Sequence, residues 1–103
     1  KFQAIQVHIA EMATDLDAAR RLTHWAAWRS DQGFENTTEA AMAKLFASEA
    51  ASRICDRAAR VCASYGYASD SPIQRYLRDA RFTLIGGGTS EILQINIARS
   101  QFR

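Results

Sequence analysis

The chain has 103 residues, of which 48% are hydrophobic, with a single proline and two cysteines. This suits one domain with a real but modest core. Thirteen basic and eleven acidic residues are interspersed to a net charge of +2. So balanced a surface argues against nucleic acid or a membrane surface as partner, and no apolar run reaches the roughly 18 residues of a spanning helix.

Abundant alanine and the lone Pro72 point to an all-α domain. Phe2, Ile5, Ile9, Met12, Leu16 and Ala19 recur at three- and four-residue intervals, the stripe of a long amphipathic helix. It is expected to run from the first residues to about Asp31, where Gln32-Gly33 supplies a stop. The pattern is already helical at Lys1 and no signal peptide is visible, so further residues are expected to precede it. Trp25 and Trp28, near the helix end, read as packing or interface anchors. Asn36, or Thr37 one position on, with Glu39 behind it, reads as the next helix start. The second helix is expected over Ala40 to Tyr65, with Met42, Leu45, Phe46, Ile54, Ala58 and Val61 on its apolar side. Its alanines, among them Ala43, Ala47, Ala50, Ala51 and Ala59, permit close approach of other helices, and Tyr65-Gly66-Tyr67 ends it.

Ser71-Pro72-Ile73-Gln74 predicts a third helix start: Ser71 as N-cap, Pro72 in the first turn and Gln74 completing a capping box. That short helix extends to about Phe82, and Arg75 and Asp79 are spaced to pair on its surface. The last helix carries Ile92, Leu93, Ile95 and Ile97. A four-helix bundle is the simplest arrangement that buries all four stripes.

Cys55 and Cys62 lie two helical turns apart, roughly 10 Å along an axis. That exceeds the Cα separation of about 7 Å that a disulfide tolerates. Free, buried thiols of a reducing compartment are expected. His8 and His24 form no metal-ligand spacing with them.

The most unusual stretch is Ile85-Gly86-Gly87-Gly88-Thr89-Ser90-Glu91. Three glycines allow a sharp bend or the close approach of another molecule. Hydroxyls followed by a carboxylate suit a helix N-terminus. Two readings stand side by side: a loop with an ordinary cap, and a loop presenting a helix N-terminus as an anion site.

Several motifs, in order, resemble the C-terminal helical domain of the acyl-CoA dehydrogenases. They are Phe2-Gln3-Ala4-Ile5-Gln6; Ala10-Glu11-Met12-Ala13; Glu39 to Glu49; Tyr65-Gly66-Tyr67 with Pro72 and Arg75; Arg78-Asp79-Ala80; Gly88 to Ile92; and Ile97-Ala98-Arg99. The resemblance implies a protein with two further domains, an N-terminal helical and a middle β domain, which residues 1–103 do not include. It implies FAD and oxidation of the Cα–Cβ bond of an acyl thioester, carried on CoA or on a carrier protein. A carboxylate removes the α-proton and flavin N5 takes the β-hydride. It also implies an electron-transfer partner, self-association into dimers or tetramers, and a cytoplasmic or mitochondrial-matrix location. By the same resemblance Gly87 and Gly88 lie beside the substrate, and Thr89, Ser90 and Glu91 meet FAD. Arg60 and Ser64 belong to the segment that reaches the adenine half of a neighbouring subunit's FAD.

Three positions depart from the family pattern. Many members carry Tyr and then the catalytic glutamate where this chain has Gly86 and Gly87. Glycine takes no proton, so the base is expected upstream of residue 1, as in members acting on branched or long acyl chains. The two glycines also free volume for a bulky acyl group. Arg60 stands where Gln is usual, and Cys62-Ala63-Ser64 where an aromatic or His precedes Gly-Gly. Arg60 could pair with an FAD phosphate, or it could mark a half-site subunit of a heteromeric dehydrogenase whose share of the cofactor site has decayed. Glu91, Asp70 and Asp79 are better explained as cofactor contact, turn residue and surface ion-pair partner than as a base.

Overall fold

Among the described residues the alanine-rich, proline-poor chain forms four α-helices and no strand. The computed structural model describes residues 3–63, 66 and 68–102. The helices are α1 (Gln3–Asp31), α2 (Thr37–Cys62), α3 (Pro72–Phe82) and α4 (Ser90–Gln101). Expectations placed on Phe2, Ser64, Tyr65 and Tyr67 lie outside the described residues.

The helices come together through α2: α1, α3 and α4 each pack on it, and among the described residues no other pair of helices is in contact. The expected all-α fold of four helices is met, with three of the helices docked on α2 as a hub. The result is elongated, 48 × 28 × 25 Å, with a radius of gyration of 15.9 Å. A compact domain of this length would have about 13 Å. Leu93 on α4 apart, the buried positions are small: Ala26 on α1, Ala43, Ser48 and Ala50 on α2, Gly66 after it, Ala80 on α3 and Ser90 on α4. Small side chains let helix axes approach closely, as the alanines of α2 led us to expect. The larger apolar side chains are less covered than a closed bundle would leave them. Ile5, Ile9 and Leu16 of the α1 stripe are exposed, as are Ile92 and Ile95 of α4.

Helix ends explain most of the boundaries. Helix α1 stops where Gly33 turns with φ 78°, and Phe34 N–H reaches back to Arg29 O at 3.0 Å. Around this turn Trp28 packs on Phe34 with ring centroids 5.8 Å apart, and the Arg29 guanidinium lies over Trp25 and Phe34. Asn36 holds the N-cap position of α2, but its side chain makes no cap bond. Its Nδ2 donates instead to Ala26 O on α1 at 3.2 Å, and Thr37 N–H is taken by the Glu35 carboxylate. Glu39, expected to complete a capping box, faces Arg29 across the helix pair at 3.4 Å. Ser71 does cap α3, accepting from Ile73 N–H at 3.3 Å with Pro72 behind it. Gln74 turns back to Ser69 O rather than closing the box. The Arg75–Asp79 pair does not form among the described residues; Arg75 lies over the Tyr76 ring at 5.3 Å.

Helix α2 begins three residues before Ala40 and ends at Cys62, three before Tyr65. The early end has a cause. Ala63 N–H returns to Arg60 O, and Ala63 adopts φ 51° and ψ −126°. A side chain disfavours this conformation and glycine tolerates it. Replacing Ala63 with glycine relieves the strain but adds unfolded-state entropy, and the net expected gain is about 1 kcal/mol, read as a higher urea midpoint at constant m.

Helix α1 is also tied to α2 by ions. Arg53 Nε and Nη2 donate to both oxygens of Asp15 at 3.0 and 3.2 Å. The Arg53 guanidinium holds the Asp15 carboxyl below its usual value. Arg57 Nη1 donates to His8 Nδ1 at 3.0 Å. Cys55 and Cys62 are free, as expected, but half-buried rather than fully buried; burial pushes the Cys55 thiol up. No helix among the described residues is long and apolar enough to cross a membrane.

Candidate functional site

The glycine loop joins the end of α3 to the start of α4 and is closed by its own backbone. Ile85 and Gly86 N–H both donate to Phe82 O at 2.9 Å, and Ser90 N–H reaches Leu84 O at 3.2 Å. The glycines are required for specific reasons. A Cβ on Gly86 would sit 2.8 Å from the Phe82 ring, so an aromatic side chain at 86 and Phe82 in its present place exclude each other. Gly87 and Gly88 have φ of 73° and 105°, where side chains are strained. The loop therefore presents bare backbone at Gly86 and Gly87.

Two residues of α2 hold this loop. Lys44 Nζ donates to Thr83 O at 2.6 Å and to Gly88 O at 2.8 Å. One turn farther along, the Glu49 carboxylate accepts from the buried Ser90 hydroxyl at 2.6 Å. Both lie inside the Glu39–Glu49 motif, yet the sequence reading assigned neither a role. The available signal was two charged side chains on the faces of α2 that also carry Ala43, Ser48 and Ala50.

Thr89 is the N-cap of α4 as expected, accepting from Ile92 N–H at 3.2 Å. Ser90 is spent on Glu49, and Glu91 is exposed. A cleft of about 360 Å³ opens here, lined by Glu49, Arg81, Leu84, Thr89, Ser90 and Glu91. Its lining carries two carboxylates, Glu49 and Glu91, and one guanidinium, Arg81, around the start of α4.

Arg60 sits elsewhere. It lies eleven residues beyond Glu49 on α2, roughly 16 Å along the axis, and pairs with Asp56 at 2.9 Å. Thus Gly87 to Glu91 form one cluster with Lys44 and Glu49, and Arg60 belongs to another with Asp56, Arg57 and His8. Two clusters so far apart cannot grip the same end of one cofactor. Among the described residues, no group of His, Cys, Asp and Glu could hold a metal ion.

The loop from Thr83 to Gly88 carries no carboxylate. Asp79 is exposed on α3, Asp70 is exposed before α3, and Glu91 is exposed on the first turn of α4. In this chain the loop thus places bare backbone beside a polar helix start, with no carboxylate on the loop itself.

The family profile "Acyl-CoA dehydrogenase, C-terminal domain" matches residues 1–102, and the chain belongs to this family. It is 65% identical over 96% of its length to benzylmalonyl-CoA dehydrogenase of Aromatoleum aromaticum. It is 47% identical over 94% of its length to cyclohexane-1-carbonyl-CoA dehydrogenase of Geobacter metallireducens. The chain spans 26% of each of these two relatives. Its fold superimposes on that of butyryl-CoA dehydrogenase from Megasphaera elsdenii with a TM-score of 0.97 and 36% identity, covering all of this chain and 27% of that one.

Proposed function

We propose that residues 1–103 are the C-terminal helical domain of an FAD-dependent acyl-CoA dehydrogenase that converts an acyl thioester to its 2-enoyl thioester. The observation that carries this reading is the glycine loop, held against α2 at the start of α4 and free of any carboxylate. Bound FAD would supply the hydride acceptor. Thr89, Ser90 and Glu91 are the residues on this chain that would line its flavin side. Gly87 and Gly88 would form the floor beneath the acyl group, and the α-proton would go to a carboxylate outside residues 1–103. Arg60 and Ser64 would face the adenine half of a neighbouring subunit's cofactor, in a dimer or tetramer. An electron-transfer partner would reoxidise the flavin.

The absence of side chains at Gly86 and Gly87 favours a bulky acyl group. The similarity to proteins named for benzylmalonyl-CoA and cyclohexane-1-carbonyl-CoA supports the same choice. The expected result is a yellow full-length protein whose flavin bleaches on adding an aromatic or alicyclic acyl-CoA, and bleaches more slowly with butyryl-CoA. A colourless, folded, inactive protein would refute the reading.

A second reading has specific observations behind it. Arg60 is already paired with Asp56, and Ala63 stands strained where the family pattern has glycine. On that reading the chain is a half-site subunit of a heteromeric dehydrogenase. Purification of the native complex separates the two, since one subunit type with one FAD per chain excludes the heteromer.

A further inference from the structure

We propose that Lys44 is a positioning residue of the acyl site, fixing the height of the Gly86–Gly87 floor by clamping both ends of the loop. The functional half of this inference rests on the reading that the loop lies beneath the acyl group; the clamp itself rests on geometry alone. Lys44 Nζ bonds the carbonyls of Thr83 and Gly88, the residues that bracket the loop. Thr83 is the C-cap of α3, so the ammonium also meets the negative end of that helix. Gly88 immediately precedes Thr89, the N-cap of α4. One side chain from α2 therefore bridges the end of α3 and the residue before the N-cap of α4.

The loop needs such a tie. Three successive glycines lose more conformational freedom on ordering than any other tripeptide would. Within the loop, the backbone bonds to Phe82 O and Leu84 O hold Ile85, Gly86 and Ser90, and none of the bonded groups belongs to Gly87. The Cα–Cβ direction of Gly87 points at the Lys44 stem: a Cβ there would lie 3.9 Å from Lys44 Cε. The same side chain thus ties the loop's ends and passes beside its middle, where Gly87 is exposed. A flexible floor would place a bound thioester in many poses, few of them reactive, and a misplacement of about 1 Å can cost 100-fold in rate.

The test uses the full-length protein with Lys44→Met, which keeps the stem and removes the charge and donors. Amide hydrogen exchange over residues 84–90 is expected to speed up about tenfold or more, as for the loss of two charge-assisted bonds. kcat for the acyl thioester is expected to fall about tenfold, with FAD content unchanged and KM less affected. A role confined to global stability would speed exchange throughout α2 and lower FAD content as well. Lys44→Cys should behave like Lys44→Met, and aminoethylation with bromoethylamine, which rebuilds a lysine-length ammonium, should restore both readouts. The natural chain treated in parallel controls for Cys55 and Cys62. Natural exchange over 84–90 in Lys44→Met or in unmodified Lys44→Cys, whichever folds, overturns the clamp. Faster exchange with an unchanged kcat overturns the positioning role. A natural protein that turns over no acyl-CoA refutes the functional reading, while exchange still decides the clamp.

Discussion

Replacing Gly66 with alanine is expected to destabilise the domain by about 1–3 kcal/mol, toward the upper end of that range. The added Cβ would sit 2.6 Å from Ala59 O and 2.7 Å from Ala59 Cα, both backbone atoms of α2. A flexible side chain could swing away at little cost, but helix backbone in the middle of a hydrogen-bonded turn cannot. Gly66 is buried and its N–H donates to Ala63 O at 3.0 Å, so the overlap cannot be avoided by moving into solvent. The clash pushes the segment after α2 away from the helix that anchors α3 and α4. At about 4–8 °C per kcal/mol for a domain of this size, scanning calorimetry should show Tm falling by about ten degrees or more. A change within about two degrees would mean that Gly66 is not packed on α2. Ala59→Gly removes a methyl and leaves the backbone in place, so it should not rescue Gly66→Ala.

The helices were legible in the sequence because their signals are local. Apolar periodicity, Gly33, Ser71-Pro72 and Thr89 each mark a boundary through interactions spanning four residues or fewer. At the start of α2, where expectation and structure part, a long-range interaction has outcompeted a local one. Asn36 gives up its cap to bond Ala26 O on α1, and Glu39 leaves the capping box for Arg29. The end of α2 was misplaced because alanine gives no warning of the left-handed turn at Ala63. Periodicity says which face of a helix is apolar, but not how much of that face the chain itself covers. Hence the bundle expectation overstated the burial of Ile9, Leu16, Ile92 and Ile95. The glycine loop was recognisable from its composition and from its resemblance to the family. Its supports, Lys44 and Glu49, were not, since they meet it across 39 to 44 residues of sequence.

Installing a glutamate at position 87, the place of the base in many acyl-CoA dehydrogenases, is expected to lower activity in the full-length protein. The first reason is backbone. Gly87 has φ 73°, and a side chain there costs about 1–2 kcal/mol, which the loop can relieve only by rotating the peptide plane next to Gly88. The second is electrostatic. A Cβ at 87 would lie 3.9 Å from Lys44 Cε, so the new carboxylate falls within reach of the ammonium. An ion pair there would draw Nζ from Thr83 O and Gly88 O and would hold the carboxylate ionised but turned beneath the floor, away from the α-carbon. Together these predict a fall in kcat/KM of roughly tenfold or more for Gly87→Glu, a smaller one for Gly87→Ala, and no new ionisation in the pH–rate profile. Gly87→Gln separates the effects, because it keeps the strain and volume without the charge; it should leave exchange over 84–90 nearer the natural rate than Gly87→Glu does. An increase in kcat with Gly87→Glu would show that the loop can place a base productively, and would remove the main reason for locating the base outside residues 1–103.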